Sequence, residues 1–146
     1  MSLDTFFIKT IDIHQLIEDD ELHRKIRGLT ISPGSGMNCA LNMYQVMVKE
    51  RKVNAKAIIA DCGHYPIGWL LLTMEQDFMG FRPSFIAEYC AHIFVMSTWR
   101  RKNVGTSLFK QAQIEAQGKT IKVYSHENPA FFQPFLETGS ALPIYT

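Results

Sequence analysis

The sequence predicts a mixed α/β fold, and three patterns in it support that class. Helical patterns dominate the first third of the chain, an apolar hairpin follows in the middle, and a strand–helix–strand–helix order completes it. Elements in this order pack as helices against a sheet around one core. The 146 residues are enough for one domain with a sizeable core, so we expect a single domain over residues 1–146.

The first third of the chain predicts one strand and two helices. Residues 6–11 alternate weakly in hydrophobicity, as a half-buried strand does. Asp12 is a suitable N-cap for a helix that we expect to end at Gly28. A loop rich in turn formers covers residues 31–37, and Asn38 is the expected N-cap of a second helix.

The rest of the chain predicts four more strands and two more helices, besides a further strand in a long apolar run. Strands at 56–60 and 67–73 form a hairpin around a turn at 61–66, and the apolar run covers 85–96. The later elements are expected at residues 104–116 (helix), 120–124 (strand), 128–136 (helix) and 140–146 (strand). No repeat or linker divides the chain.

Charge and composition exclude several classes of protein. Fifteen Lys and Arg residues nearly cancel fourteen Asp and Glu residues, so there is no broad basic field for nucleic acid or a membrane surface. The start of the chain lacks the pattern of a signal peptide, and the apolar run at 67–72 is too short to cross a bilayer. Three scattered cysteines, Cys39, Cys62 and Cys90, suit free thiols in a reducing compartment. We therefore expect a cytoplasmic protein without a nucleic-acid or membrane partner.

No metal site is expected from the spacing of potential ligands. Cys62 and His64 form one close pair, but no partner pair follows at the spacing of a zinc site.

The most informative segment joins the apolar run to the helix predicted at 104–116. Its apolar residues end in a basic turn, Arg100 to Lys102, and the helical pattern begins directly afterwards. The N-terminus of a helix carries unsatisfied N–H donors and the positive end of the helix dipole, so it binds anions. The segment therefore predicts a site for a phosphorylated ligand; an exposed basic turn without a ligand is the alternative interpretation.

The turn from Arg100 to Gly105 resembles the pyrophosphate loop of the GCN5-related N-acetyltransferase family. The family pattern is Arg or Gln, any two residues, Gly, any residue, and Gly or Ala; Asn103 stands here where the first Gly is usual. Asparagine accepts a positive φ more readily than other residues with a side chain, so this departure is mild. The hairpin around Gly68, the strand end at 93–95 and the order of elements over 120–136 also follow the family.

The resemblance implies a central, mostly antiparallel sheet flanked by helices, with a shortened C-terminus. It implies acetyl-CoA as cosubstrate and transfer of its acetyl group to an amine of a small molecule or a protein. The sheet edge left open at the shortened end would suit a macromolecular acceptor or a homodimer. The residues that it assigns to the cofactor are Phe94, Val95, Arg100, Arg101, Lys102, Asn103, Val104, Gly105, Thr106 and Asn128.

The resemblance also suggests where a general base would lie. Counting back from Val95 with the family spacing leads to Tyr89, and Glu88 precedes it. A bulge of one residue would exchange which of the two faces the cleft. Glu88 is the better chemical candidate, because a partly buried carboxylate can accept a proton near neutral pH; a charge on the solvent face of a strand is the alternative. His92 has suitable chemistry, but we expect an ordinary strand histidine.

The position of the general acid departs from the family. The family places a tyrosine seven positions beyond Asn128, and this chain has Phe135 there, which has no proton to donate. Water could protonate the leaving thiolate, or His126, Tyr124 or Tyr145 could replace the tyrosine. A protein that has lost catalysis and acts as an acyl-CoA sensor or an interaction module is the third interpretation.

Overall fold

The computed structural model describes residues 5–30, 55–74, 89–123 and 129–143. The strands in these residues are β1 (Phe7–Asp12), β2 (Ala55–Asp61), β3 (Pro66–Met74), β4 (Tyr89–Val95), β5 (Ile121–Val123) and β6 (Ala141–Pro143). The helices in them are α1 (Ile13–Glu18), α2 (Asp20–Thr30), α3 (Val104–Glu115) and α4 (Pro129–Glu137), with a 3₁₀ turn at Ser97–Trp99. The second helix, expected after Asn38, falls outside the described residues.

The six strands form one sheet in the order β1-β2-β3-β4-β5-β6. The first four strands pair antiparallel with their neighbours, whereas β5 pairs parallel with both β4 and β6. Strand β6 follows α4 and lies directly beside β5, so β5–α4–β6 is a parallel crossover unit. These findings confirm the predicted mixed α/β fold with a mostly antiparallel sheet flanked by helices.

The start of α1 matches its prediction. The Asp12 carboxylate accepts a hydrogen bond of 2.8 Å from the His14 N–H, and the Asp12 N–H donates one of 3.1 Å to Gln15 Oε1. These reciprocal bonds form a capping box, which satisfies donors that the helix itself leaves open.

The prediction of one continuous helix from Asp12 to Gly28 is wrong, because the chain forms two helices that divide at Asp19. Asp19 leaves the helical conformation (φ −90°, ψ 92°), and its carboxylate accepts a bond of 3.0 Å from the Leu22 N–H. Asp19 therefore acts as the cap of α2, and this helix continues past Gly28 to Thr30.

Apolar side chains cover both faces of the sheet, which explains the nearly continuous hydrophobic runs of β2 and β3. On one face, the core includes Leu108, Phe109 and Ala112 of α3 and Phe132 of α4. On the other face, Trp69 and Leu71 of β3 pack in one cluster with residues of α1 and α2. We call these faces the α3 face and the α2 face.

The described helices include none that is long and apolar enough to cross a membrane.

Candidate functional site

Strand β4 has a partner on both sides over only its first three described residues. Pairing with β3 continues to Val95, whereas the last pair with β5 joins Ala91 to Val123, the final described residue of that strand. The Met96 N–H donates a bond of 2.8 Å to the Ile67 carbonyl. Because backbone direction alternates in an antiparallel pair, Ile93 and Val95 direct their backbone groups away from β3. Among the described residues, Ile93 and Val95 have no pairing partner on this side, and we call them the open edge of β4.

This alternation changes one prediction about the cofactor site. Phe94 is paired with Trp69 of β3, at a position where the backbone groups point into that pair. Its side chain packs on the α2 face. Of the two β4 residues predicted to contact a cofactor, Val95 lies on the open edge and Phe94 does not present its backbone there. The sequence analysis missed Ile93, whose position depends on a register that only pairing with β3 reveals.

A short turn joins the end of β4 to α3, and Trp99 anchors it. The Trp99 side chain is 8% exposed and lies in the core of the α3 face. Its ring meets Phe6 edge-on, with ring centroids 6.4 Å apart. This packing fixes the start of the turn in the core of the α3 face.

Two residues of the loop before α3 have a left-handed backbone conformation. Asn103 has φ 64° and ψ 14°, and Arg101 has φ 65°. Asn103 therefore adopts the conformation for which the family uses glycine, as predicted. It occupies the N-cap position of α3, but its side chain makes no capping hydrogen bond. Its carbonyl accepts the first helical bond, 3.0 Å from the Ser107 N–H.

The first turn of α3 consequently presents backbone donors to the loop. The helix begins at Val104, and Ser107 is the residue whose N–H bonds back to Asn103. The N–H groups of Val104, Gly105 and Thr106 come before this bond and have no intrahelical acceptor. Such a group of donors at the positive end of a helix suits a phosphate.

Three basic residues directly precede these donors in the chain, and all three are exposed. Arg100 Nε donates a bond of 3.0 Å to the Val95 carbonyl, and its guanidinium lies 6.0 Å from the centroid of the Phe94 ring. The Lys102 ammonium lies 5.3 Å from the ring of Trp99. Arg101, which has a positive φ, lies between Arg100 and Lys102 in the sequence. The structure therefore brings together the basic turn, the end of β4 and the start of α3.

Position 105 favours glycine because of its packing against α4, and a side chain there would point at α4. A Cβ at this position would lie 3.0 and 3.2 Å from two ring carbons of Phe131 in α4. Most side-chain contacts are longer than this, so a substitution would push α3 and α4 apart. The backbone N–H of Gly105 stays available to a ligand, while its missing side chain serves the contact between the two helices.

Phe135, at the position of the family's tyrosine, belongs to an aromatic cluster. Its ring centroid lies 4.3 Å from that of Phe109 and 5.7 Å from that of Phe131. The side chain packs against the core of the α3 face. Glu88, His126 and Asn128 lie outside the described residues.

Tyr89 and His92 lie on opposite faces of β4. Tyr89 is partly buried and packs on the α3 face. His92 is paired with Leu71, a residue of the α2 face, and has the same parity as Phe94. Burial lowers the pKa of His92 to about 4. Its imidazole is therefore neutral at pH 7.

A cleft of about 500 Å³ opens on the α2 face, between α2, the β2–β3 turn and the end of β4. The residues of α2 and of the turn that line it are Lys25, Gly28, Leu29, Tyr65 and Pro66. The residues from the end of β4 and the following loop are Phe94, Met96, Ser97 and Arg100. This cleft, which the sequence analysis did not foresee, shares Arg100 with the phosphate-binding region.

Metal ligands do not cluster in the part of the chain that the structure describes: no group of three or more His, Cys, Asp or Glu side chains meets there. Cys62 instead donates a bond of 3.5 Å to the Tyr65 carbonyl across the hairpin turn.

No protein-family model and no curated protein matches this sequence, whereas solved structures do. The aminoglycoside N-acetyltransferase AAC(6')-Iy, solved in complex with CoA, is 17% identical and superposes with a TM-score of 0.61 over 97% of this chain and 91% of its own. The ribosomal-protein-alanine N-acetyltransferase of Brucella melitensis biovar Abortus 2308 is 13% identical, with a TM-score of 0.56 over 97% and 95%.

A third match is the aminoglycoside acetyltransferase meta-AAC0020 from an uncultured soil metagenomic sample, solved with sisomicin. It is 14% identical, with a TM-score of 0.52 over 92% of this chain and 86% of its own. At these identities the likeness concerns the backbone arrangement, and the agreement extends over nearly the whole chain. The protein therefore has the fold of the GCN5-related N-acetyltransferases.

Proposed function

We propose that the protein is an acetyl-CoA-dependent N-acetyltransferase, which transfers the acetyl group directly to an amine in a ternary complex. One observation carries the proposal: the open edge of β4 leads directly into the loop and the donors at the start of α3. A CoA thioester has an extended amide-containing arm joined to a pyrophosphate. The strand edge suits the arm, and the helix start suits the pyrophosphate.

We assign the binding roles from the position of each residue. The N–H groups of Val104, Gly105 and Thr106 are assigned to the pyrophosphate oxygens, and Arg100, Arg101 and Lys102 supply the opposite charge. The Val95 N–H and the Ile93 carbonyl are assigned to the amides of the pantetheine arm. Asn103 keeps the loop open toward the ligand through its left-handed conformation. Asn128 is assigned to the same arm, as the family resemblance implies.

The reaction needs one proton acceptor before the amine attacks. The ammonium of the acceptor gives a proton to a base, and the nitrogen lone pair then forms the new C–N bond at the thioester carbon. Glu88 is one candidate base. His92 is the other, because its imidazole lies on the α2 face of the strand whose open edge is assigned to the arm. Tyr89 stands at the family position of the base, and its side chain packs on the α3 face, opposite to His92.

The second half of the reaction breaks the C–S bond and needs a proton for the thiolate. We assign stabilisation of the oxyanion to the Ile93 N–H on the open edge. Phe135 has no proton to give, so the thiolate is protonated by water or by His126. Water is sufficient in principle, because a thiol has a pKa of about 8.5 and its thiolate is a tolerable leaving group.

One observation favours a second candidate function, an acyl-CoA-binding protein without turnover. Phe135 is packed tightly against Phe109 in place of a proton donor. This candidate shares the binding site of the first and differs only in the chemical step.

Calorimetric titration with acetyl-CoA and with CoA tests the proposal first, followed by thiol release with a panel of amines. We expect micromolar binding by the wild type and a Kd at least tenfold higher for Arg101→Glu. Lys119→Glu is the matched control, because it makes the same charge change beyond the other end of α3, about 18 Å away. Folded protein that binds neither ligand would refute the proposal, and binding without turnover of any amine would select the second candidate.

A further inference from the structure

The cleft on the α2 face differs from the phosphate-binding region in its shape and in its lining. Leu29 of α2, Tyr65 of the hairpin turn, and Phe94 and Met96 at the end of β4 give it apolar and aromatic walls. Lys25 and Arg100 are its charged residues. At about 500 Å³, it has the size of a site for a small organic molecule.

We propose that this cleft holds the acceptor, and that the acceptor is an amine that carries a carboxylate or phosphate group on an apolar or aromatic body. The inference rests on the proposed acetyltransfer and names the substrate class of that reaction.

The charges that line the cleft favour a ligand with a negatively charged group. Among its described lining residues, both charged side chains are cations and none is a carboxylate. Lys25 also forms an exposed ion pair with Glu21 at 3.2 Å, and such a pair contributes little free energy. An ammonium has three donors, so Lys25 is able to contact a second anion without leaving Glu21.

Arg100 borders both the phosphate-binding region and the cleft, and its contacts hold its side chain in place. Its Nε is used by the Val95 carbonyl, and its guanidinium lies against the Phe94 ring. The four remaining N–H donors of a guanidinium suit the paired oxygens of a carboxylate or phosphate. An arginine fixed by its own strand loses less side-chain entropy when it binds a ligand.

The position of the cleft connects it to the reaction. Phe94 belongs to β4, whose open edge is assigned to the pantetheine arm, and Met96 directly follows this strand. His92 lies on the same face of β4, two residues or roughly 7 Å before Phe94. A ligand with its anionic group near Lys25 and Arg100 therefore lies on the same face of β4 as His92.

The same charges act against polycations. Sisomicin, the ligand solved with one of the structural neighbours, is an aminoglycoside. Its several ammonium groups would meet two cations and no lining carboxylate among the described residues of the cleft. We therefore expect the protein to discriminate against aminoglycosides.

A binding test that is independent of acetyl-CoA uses nitrogen–proton NMR spectra of the full chain. The probe is N-acetyl-L-phenylalanine, a product-like carboxylate, and the matched probe is N-acetyl-L-phenylalaninamide, which lacks the charge. We expect the carboxylate to shift the resonances of Leu29, Phe94 and Ser97 with a millimolar Kd, and the amide to bind roughly tenfold more weakly. Equal shifts by the two probes, or none with either, would overturn the proposal.

A pair of variants ties the binding to the cleft. Lys25→Glu is expected to raise the Kd of the carboxylate probe at least fivefold, while Lys110→Glu, on the exposed side of α3, leaves it unchanged. The two variants have the same net charge, so any general effect of charge is common to both. Equal Kd values for the two variants would contradict the assignment of the anion to Lys25.

Kinetics distinguish the acceptor from the cofactor as the source of the anion. With saturating acetyl-CoA, we expect kcat/KM for L-phenylalanine to exceed that for L-phenylalaninamide and for sisomicin, and Lys25→Ala to remove that preference while the Kd of acetyl-CoA stays unchanged. If Lys25→Ala instead weakens CoA and leaves dephospho-CoA unaffected, the cleft holds the nucleotide phosphate and the proposal is wrong. Failure of acetyl-CoA to bind would refute the acetyltransferase function and with it the role of the cleft as an acceptor site. The NMR spectra would then show only whether the cleft binds a carboxylate.

Discussion

Gly68 of β3 lies directly opposite Val95 of β4, and the two strands approach too closely for any side chain at position 68. A Cβ there would lie 2.9 Å from the Phe94 carbonyl oxygen and 3.3 Å from the Val95 Cα. Both contacts are to backbone, which is unable to move aside cheaply. Since Val95 carries the carbonyl that holds Arg100, Gly68 fixes the point from which the loop starts.

Gly68→Ala is therefore expected to lower the free energy of unfolding by about 1–3 kcal/mol and to weaken acetyl-CoA binding. Gly28→Ala is the matched control: it lies in α2 with no atom within 4 Å of an added Cβ, so it should raise stability by about 0.5–1 kcal/mol. Urea unfolding of both variants measures the difference. A Gly68→Ala protein as stable as the wild type would mean that β3 and β4 separate without cost.

Substitutions at Asn103 test its left-handed conformation. Asn103→Gly keeps φ near 64° without strain, so stability and acetyl-CoA affinity should stay at or above wild-type levels. Asn103→Val should cost about 1–2 kcal/mol, because a β-branched residue resists this region. Thermal unfolding and calorimetry give both quantities. Equal values for the glycine and valine variants would show that the loop changes conformation freely.

The ion pair between Lys56 and Glu115 predicts a loss of stability in acid. Lys56 Nζ donates a bond of 2.7 Å to the Glu115 carboxylate and, with Gln111, holds the pKa of Glu115 below its usual range. The folded protein therefore keeps this proton off where the unfolded chain binds it, and stability falls as pH drops below about 4.5. Glu115→Gln should lose part of this dependence, which unfolding curves from pH 6 to pH 3 would measure.

His92 predicts a loss of stability at a higher pH. Its pKa of about 4 in the folded protein lies below the ordinary value of 6.5, so between these values the unfolded chain binds the extra proton. Stability should fall as pH drops from 6.5 toward 4, and His92→Gln should reduce the slope. His23 is buried as well and acts in the same direction, so the comparison is made between variant and wild type.

The same residue gives a kinetic prediction. If His92 accepts the proton of the amine, kcat/KM should show no ionisation of the enzyme base between pH 5 and 7, and His92→Gln should lower kcat without changing the Kd of acetyl-CoA. A carboxylate base with a raised pKa would instead produce an inflection within that interval.

Local patterns in the sequence predict the hairpin and the αβ unit well. The β2–β3 hairpin was expected at 56–60 and 67–73 and is found at Ala55–Asp61 and Pro66–Met74, because turn residues enclose two apolar runs. The division at Asp19 escaped prediction, since an aspartate in an acidic run is equally suited to an exposed helix position and to a cap. Which of the two conformations Asp19 adopts depends on how α2 packs against the sheet.

The site shows where local patterns end. Whether Ile93 or Phe94 faces the open edge depends on the register with β3, and a shift of one residue exchanges them. The cleft combines three segments that are distant in sequence, represented by Lys25, Tyr65 and Arg100. The resemblance of the loop to the family pattern, by contrast, was enough to predict the left-handed Asn103, because asparagine stands there at a glycine position.

The contact between Gly105 and the Phe131 ring links the history of two distant positions. A lineage that acquires a side chain at 105 needs either a shift of the Phe131 ring by a few tenths of an ångström or a smaller residue at 131, and the ring in turn favours glycine at 105. Glycine in the first turn of α3 would then be inherited because of its contact with α4, even in descendants that do not bind a phosphate. Its presence alone is therefore a poor record of catalytic ancestry, and the two positions should change together.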